Sequence, residues 1–132
     1  MNIPRADLFH GHNPAQLGTV NDVICVDFDR TLMDHENVAP GHKMGYPEQG
    51  AVEALELLSR KYKIVILTSR TPAQHRIVEQ WLNYFNIPFD RVTNVKPEAI
   101  AYIDDRAVRY QDNWPQIVEW LHTLDTNPEA RI

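Results

Sequence analysis

The 132-residue chain holds a single cysteine, Cys25, so no internal disulfide can brace it. Within VICVDF that cysteine reads as a small buried hydrophobe rather than a reactive thiol. No apolar run approaches the roughly 18 residues of a membrane span, and the opening MNIPRADLFHGHN lacks the basic-then-apolar order of a secretory signal. A soluble, cytoplasmic protein with no membrane partner is the expectation. Basic residues are scattered and outnumbered, 13 Lys and Arg against 18 Asp and Glu. That balance disfavours a stable nucleic-acid partner, but it leaves room for a small phosphorylated substrate, which needs only local positive groups. Repeats and low-complexity tracts are missing as well, and the length suits one domain with one core.

What is present is an alternation of short apolar runs with helical patterns. Strands are expected at 23–27, 63–67 and 100–103, and helices near 48–60, at 72–85 and at 115–124. That order predicts an α/β protein, a three-layer Rossmann-like fold with a central parallel sheet. VICVDF and KIVILT are almost uninterrupted, as strands covered on both faces should be. Over 72–85, Ile77, Val78, Trp81, Leu82 and Phe85 form one apolar stripe that reads as core. Thr71, Pro72 and Gln74 supply an N-cap, a first-turn proline and a capping-box partner for that helix. Residues 1–20, with Pro4, Gly11, Pro14 and Gly18, read as a leader that is loose or packed on the outside, and 21–132 as the single domain. Between them and the first helix, the polar, glycine-bearing segment 33–46 reads as a long loop or small hairpin. Its position makes it a candidate flap over a site.

In a parallel sheet, ligands bind beyond the carboxyl ends of the strands. Asp27, Asp29 and Thr31 follow the first strand, Thr68, Ser69 and Arg70 the second, and Asp104 and Asp105 the 100–103 strand, with Lys96 just before it. Any one of these could be a cap or a surface charge. Together they crowd carboxylates at one rim, where mutual repulsion calls for a cation, and hard oxygen ligands of this kind suit Mg²⁺. With Mg²⁺ in place, a carboxylate can attack phosphorus and a second carboxylate can move the proton. Asp27 is then the nucleophile and Asp29 the proton shuttle. His10, His12, His35 and His42 lack a third ligand at fitting spacing and read as solvent-exposed.

At this point the chain resembles the haloacid dehalogenase superfamily of phosphohydrolases, over about Val23 to Leu121. DFDRTL resembles its first motif, ILTSR its second, NVKP its third and AYIDDRAV its fourth. Four ordered motifs, each placed against a strand, are a specific signal. The resemblance implies a Rossmann-like fold, Mg²⁺ dependence and a phosphoaspartate intermediate. It makes Asp27 the nucleophile and a metal ligand, Asp29 the acid/base whose carbonyl touches the metal, and Thr68 the phosphate-binding hydroxyl. Lys96 becomes the charge-neutralising lysine and Asp104 a metal-side acid, with Asp105 assisting through water.

Three departures matter. Arg30 stands where the family usually has glycine, and reads as an outward charge or an added substrate contact. Lys96 and Asp104 are only eight positions apart, too few for the helix that commonly intervenes. Room for a cap domain is missing, so the chain resembles the small capless branch with a short flap. The implied activity is hydrolysis of a small phosphorylated metabolite, a sugar phosphate or nucleotide. Thr31, Arg30, Ser69 and Arg70 are placed to bind it, and a neighbouring copy in a homo-oligomer could contribute to specificity. Phosphotransfer and a non-catalytic binding role stay open. A response-regulator receiver fits poorly, because here the Asp-Asp pair follows Lys-Pro instead of opening the domain.

Overall fold

The computed structural model describes residues 22–126, without the side chains of 125 and 126; the leader expected over 1–20, with His10 and His12, lies outside the described residues. Four strands, β1 (Val23–Asp27), β2 (Lys63–Leu67), β3 (Arg91–Thr93) and β4 (Ala101–Ile103), form one all-parallel sheet in the order β3-β2-β1-β4. Three helices, α1 (Ala51–Ser59), α2 (Pro72–Tyr84) and α3 (Trp114–Thr126), complete a small Rossmann-like α/β fold. Side chains alternate between faces along a strand, yet Ile24, Cys25 and Val26 are all buried, as are Ile64, Val65 and Ile66. Both faces of the two inner strands are therefore covered, which is the layered arrangement their unbroken apolar runs predict.

The expected elements form within a few residues of their anticipated bounds, with one addition. β3 was not anticipated: it is three residues long, lies at the sheet edge and has no buried residue. Its place is secured from outside the strand, where Asp90 Oδ2 accepts the Ile64 N–H at 2.7 Å and the Thr68 N–H donates to the Thr93 carbonyl at 2.9 Å.

Helix α2 begins as its sequence requires. Pro72 is its first residue, and the Thr71 N–H donates to Gln74 Oε1 at 3.0 Å, closing the capping box. Val78, Trp81 and Leu82 are buried, and Trp81 meets Phe28 edge to face at 5.1 Å, binding α2 to the segment that follows β1. Ile77 departs from the expected stripe. It is 53% exposed, because it lies at the stripe's margin and lines a cleft facing the flap instead of the core.

The 33–46 segment folds as a pinned loop. Asp34 N–H donates to the Tyr46 carbonyl, Tyr46 N–H to Asn37 and Glu48 N–H to Leu32, while Met33 bridges to Pro47 in antiparallel fashion. Trp81 Nε1 donates to the Gly45 carbonyl at 2.9 Å, tying the flap to α2. Gly45 permits this closure, since a Cβ there would stand 1.6 Å from the Asp34 carbonyl oxygen.

Candidate active site

Strand register assembles the site. Val26 pairs with Ile103 and Asp27 with Leu67, so Asp104, the residue after β4, comes alongside Asp27, and Thr68 follows directly on the other side. Adjacent strands lie only about 4.8 Å apart, so these side chains meet without any loop having to reach far. Asp27, Asp104 and Asp105 each offer a carboxylate oxygen, and the three atoms lie within 4.8 Å of one another. One divalent cation could bridge such a set, and an all-carboxylate donor set suits a hard cation such as Mg²⁺.

Thr31 cross-links the group. Its Oγ1 accepts the Asp105 N–H at 3.1 Å and lies 3.1 Å from Asp105 Oδ1 and 3.3 Å from Asp27 Oδ2, with one hydroxyl proton to serve the two carboxylates. Burial, and after it the neighbouring Asp104 carboxylate, push the Asp27 carboxyl up to about 6, against the opposing hydrogen bond from Thr31; Asp105 and Asp29 add to the rise. Asp27 thus lies in a place that favours either a proton or a cation. Burial also raises the Cys25 thiol to about 11, which keeps it protonated and inert as expected.

Asp29 has the opposite environment. Burial would raise its carboxyl, but the Arg70 hydrogen bond and charge, followed by those of His35, hold it below the usual carboxylate range. Arg70 Nη2 lies 2.9 Å and His35 Nε2 3.0 Å from Asp29 Oδ1, while the buried Thr68 hydroxyl lies 3.3 Å from Oδ2. Thr68 Oγ1 also accepts the Arg70 N–H at 3.2 Å. Two carboxylates two residues apart are thereby held in opposite electrostatic environments, Asp27 among other acids and Asp29 against Arg70 and His35.

The other candidate residues are distributed unevenly. Arg70 joins the cluster, its guanidinium 5.6 Å over the Phe28 ring and its Nε buried with no hydrogen-bond partner among the described residues. Ser69 is exposed on the loop between β2 and α2. Arg30 is exposed with φ of 72°, the left-handed region where glycine is least costly, so the glycine that the resemblance leads one to expect there has a backbone reason, and the arginine side chain is exposed. Lys96 forms no ion pair among the described residues; its Nζ lies 4.4 Å from the Tyr102 ring centroid, and its charge opposes the rise of the Cys25 thiol two residues before Asp27. His35, which reads from sequence as a solvent-exposed flap residue, is the contact that sequence reasoning missed. The only available signal was its place six residues after Asp29 in a segment expected to fold back over the site.

Among solved structures, the chain is similar to a conserved protein from Bacteroides thetaiotaomicron, with 24% identity and a TM-score of 0.55, over 78% of this chain and 91% of that one. A crystal structure from Vibrio cholerae is 23% identical with a TM-score of 0.43, over 77% of this chain and 98% of that one. The likeness to the first supports the fold. No protein-family model and no curated protein matches the chain. No helix among the described residues is long and apolar enough to cross a membrane.

Proposed function

We propose that the protein is a Mg²⁺-dependent phosphomonoester hydrolase of the haloacid dehalogenase type, acting through an aspartyl phosphate on a small phosphorylated metabolite. The observation that carries this reading is the meeting of Asp27, Asp104 and Asp105 within 4.8 Å beside an Asp29 clamped by Arg70 and His35. Asp27, Asp104 and Asp105 would hold the metal, with the Asp29 carbonyl implied by the resemblance. When bound, Mg²⁺ neutralises the crowded carboxylates and withdraws charge from the phosphoryl oxygens.

The chain's own groups then divide the work. An Asp27 carboxylate oxygen attacks phosphorus as the bond to the departing oxygen breaks, and Asp29 gives that oxygen its proton. Water attacks the phosphorus of the aspartyl phosphate, Asp29 takes up the proton, and phosphate leaves with Asp27 again a carboxylate. Thr68 and neighbouring backbone N–H groups hold the transferring oxygens. Arg70 and His35 keep Asp29 ionised for the second half of the cycle. For the first half Asp29 must carry a proton, so at least one of these contacts has to open as substrate enters, and His35, on the flap, is the one whose backbone is not part of the sheet rim.

A panel of sugar phosphates, nucleotides and phosphoamino acids, assayed with Mg²⁺ and again with chelator, tests the reading. Metal-dependent phosphate release from at least one class is expected, with activity lost to chelator and restored by Mg²⁺. Equal background rates in both arms across the panel would reject hydrolysis. The two cations separate in the same assay. Lys96→Ala is expected to lower kcat about 10²- to 10³-fold by removing charge from the phosphoryl oxygens, and Arg70→Ala about tenfold by loosening Asp29. The reverse ranking would transfer the phosphate-neutralising role to Arg70.

A further inference from the structure

Arg70 carries more donors than the fold uses. Its Nη2 donates to Asp29 Oδ1 at 2.9 Å, and its Nε–H is buried without a partner. Nη1 makes no hydrogen bond among the described residues and, unlike Nε, keeps access to solvent. Both N–H groups of Nη1 therefore face the site from a side chain that is only 28% exposed. The residue is held in this attitude from several directions. Its guanidinium lies over the Phe28 ring, its main-chain N–H donates to Thr68 Oγ1 at 3.2 Å, and His75 Nε2 lies 3.0 Å from its carbonyl oxygen. An unsatisfied buried N–H costs stability, and folds seldom keep one without a use. A fixed cation with a free donor edge beside the carboxylate rim suits a ligand better than it suits the fold.

The two oxygens of Asp29 say which part of a ligand would meet that edge. Oδ2 lies 3.3 Å from the Thr68 hydroxyl, whereas Oδ1 faces Arg70 and His35. Under the phosphatase reading, on which this inference rests, Thr68 holds the transferring phosphoryl group and Asp29 protonates the leaving oxygen. The substituent on that oxygen then starts beside Asp29, next to Arg70. A proton-transfer contact and an Arg–carboxylate hydrogen bond each span about 3 Å, so an anion within two or three bonds of the ester oxygen reaches Nη1. We propose that Arg70 binds a carboxylate at that place and thereby selects phosphate esters of small hydroxy acids. A carboxylate is planar and can span Nη1 and Nη2 as a fork, which a hydroxyl cannot do. Esters without the second anion leave Nη1 to water, as in the free protein.

Two pairs of compounds, each differing by a carboxylate in place of a methyl group, test this on the full chain with Mg²⁺. Phosphonopropionate and propylphosphonate cannot be hydrolysed, and calorimetry should show the first binding the wild type about 10- to 100-fold more tightly, the range of a charge-assisted hydrogen bond. Arg70→Gln should erase that difference, and Arg70→Lys, which keeps the charge without the fork, should retain part of it. In turnover, kcat/KM for phospholactate over isopropyl phosphate should follow the same pattern, with a ratio near one in Arg70→Gln. An arginine that only positions Asp29 would cost both esters equally and leave the wild-type ratio in place. That result overturns the proposal, as does equal binding of the two phosphonates to the wild type. Metal-dependent turnover of both esters at one rate rejects the carboxylate site and keeps the hydrolase reading. Arg70-dependent preference for phosphonopropionate with no ester hydrolysed rejects hydrolysis and supports the carboxylate site.

Discussion

Asp27→Asn is expected to abolish turnover, a loss of about 10⁴-fold or more as for removal of a covalent nucleophile, and at the same time to stabilise the metal-free protein. The second effect follows from the raised carboxyl. In the fold the Asp27 carboxyl titrates near 6, against 3.8 for the ordinary group, so between these values the folded state binds more protons than the unfolded one. Stability of the metal-free wild type therefore falls as pH rises through that window, and the penalty persists above it. Allowing for partial exposure, it amounts to about 1 to 2 kcal/mol at neutral pH. The asparagine variant carries no such charge, so its Tm in chelator should exceed the wild type's by a few degrees at pH 7 and converge with it near pH 4. Asp29 shifts the other way: its contribution is present above its unfolded value and is lost only as pH falls further, so it does not mask the effect. Mg²⁺ should raise the Tm of the wild type and leave the variant nearly unmoved. Denaturation at pH 4 to 8, with metal and with chelator, measures all of this; parallel pH profiles for the two proteins would remove Asp27 from the metal cluster.

Asp29→Asn is expected to lower kcat about 10²- to 10⁴-fold, the range for a lost proton-transfer group, with a distinctive pattern across substrates. Esters whose leaving oxygen needs no protonation, such as aryl phosphates, should still phosphorylate Asp27 at a substantial rate. The aspartyl phosphate then persists, because the water that must attack it has lost its base. Intact-mass measurement after rapid quench should show one added phosphoryl group on the variant with an aryl phosphate and little with an alkyl phosphate. An equal loss for both ester types with no trapped adduct would mean that Asp29 only positions Arg70 and His35.

Much of the architecture was legible because its determinants are local. Ile24 to Val26 and Ile64 to Ile66 announce doubly covered strands by having no polar alternation, and Thr71, Pro72 and Gln74 mark the start of α2 through groups within one helical turn. β3 escaped because three half-exposed residues carry no periodicity, and its pairing comes from β2. Ile77 escaped because helical spacing assigns a face but not how far the neighbouring layer reaches across it. In the site, the meeting of Asp27 with Asp104 was legible once both were assigned to strand ends. The clamp of Arg70 and His35 on Asp29 was not, since Arg70 is 41 residues away and its direction is set by the packing of its guanidinium over Phe28.

Residue order alone determined that carboxylates and hydroxyls would emerge at the carboxyl ends of buried parallel strands, because an apolar run and the acid that ends it are covalently adjacent. Only the tertiary structure decided which cation faces which acid, bringing Arg70 to Asp29 and resting Lys96 on Tyr102, and it alone left Trp114 exposed. Those outcomes depend on register and layer packing between segments far apart in the chain, which no local pattern encodes.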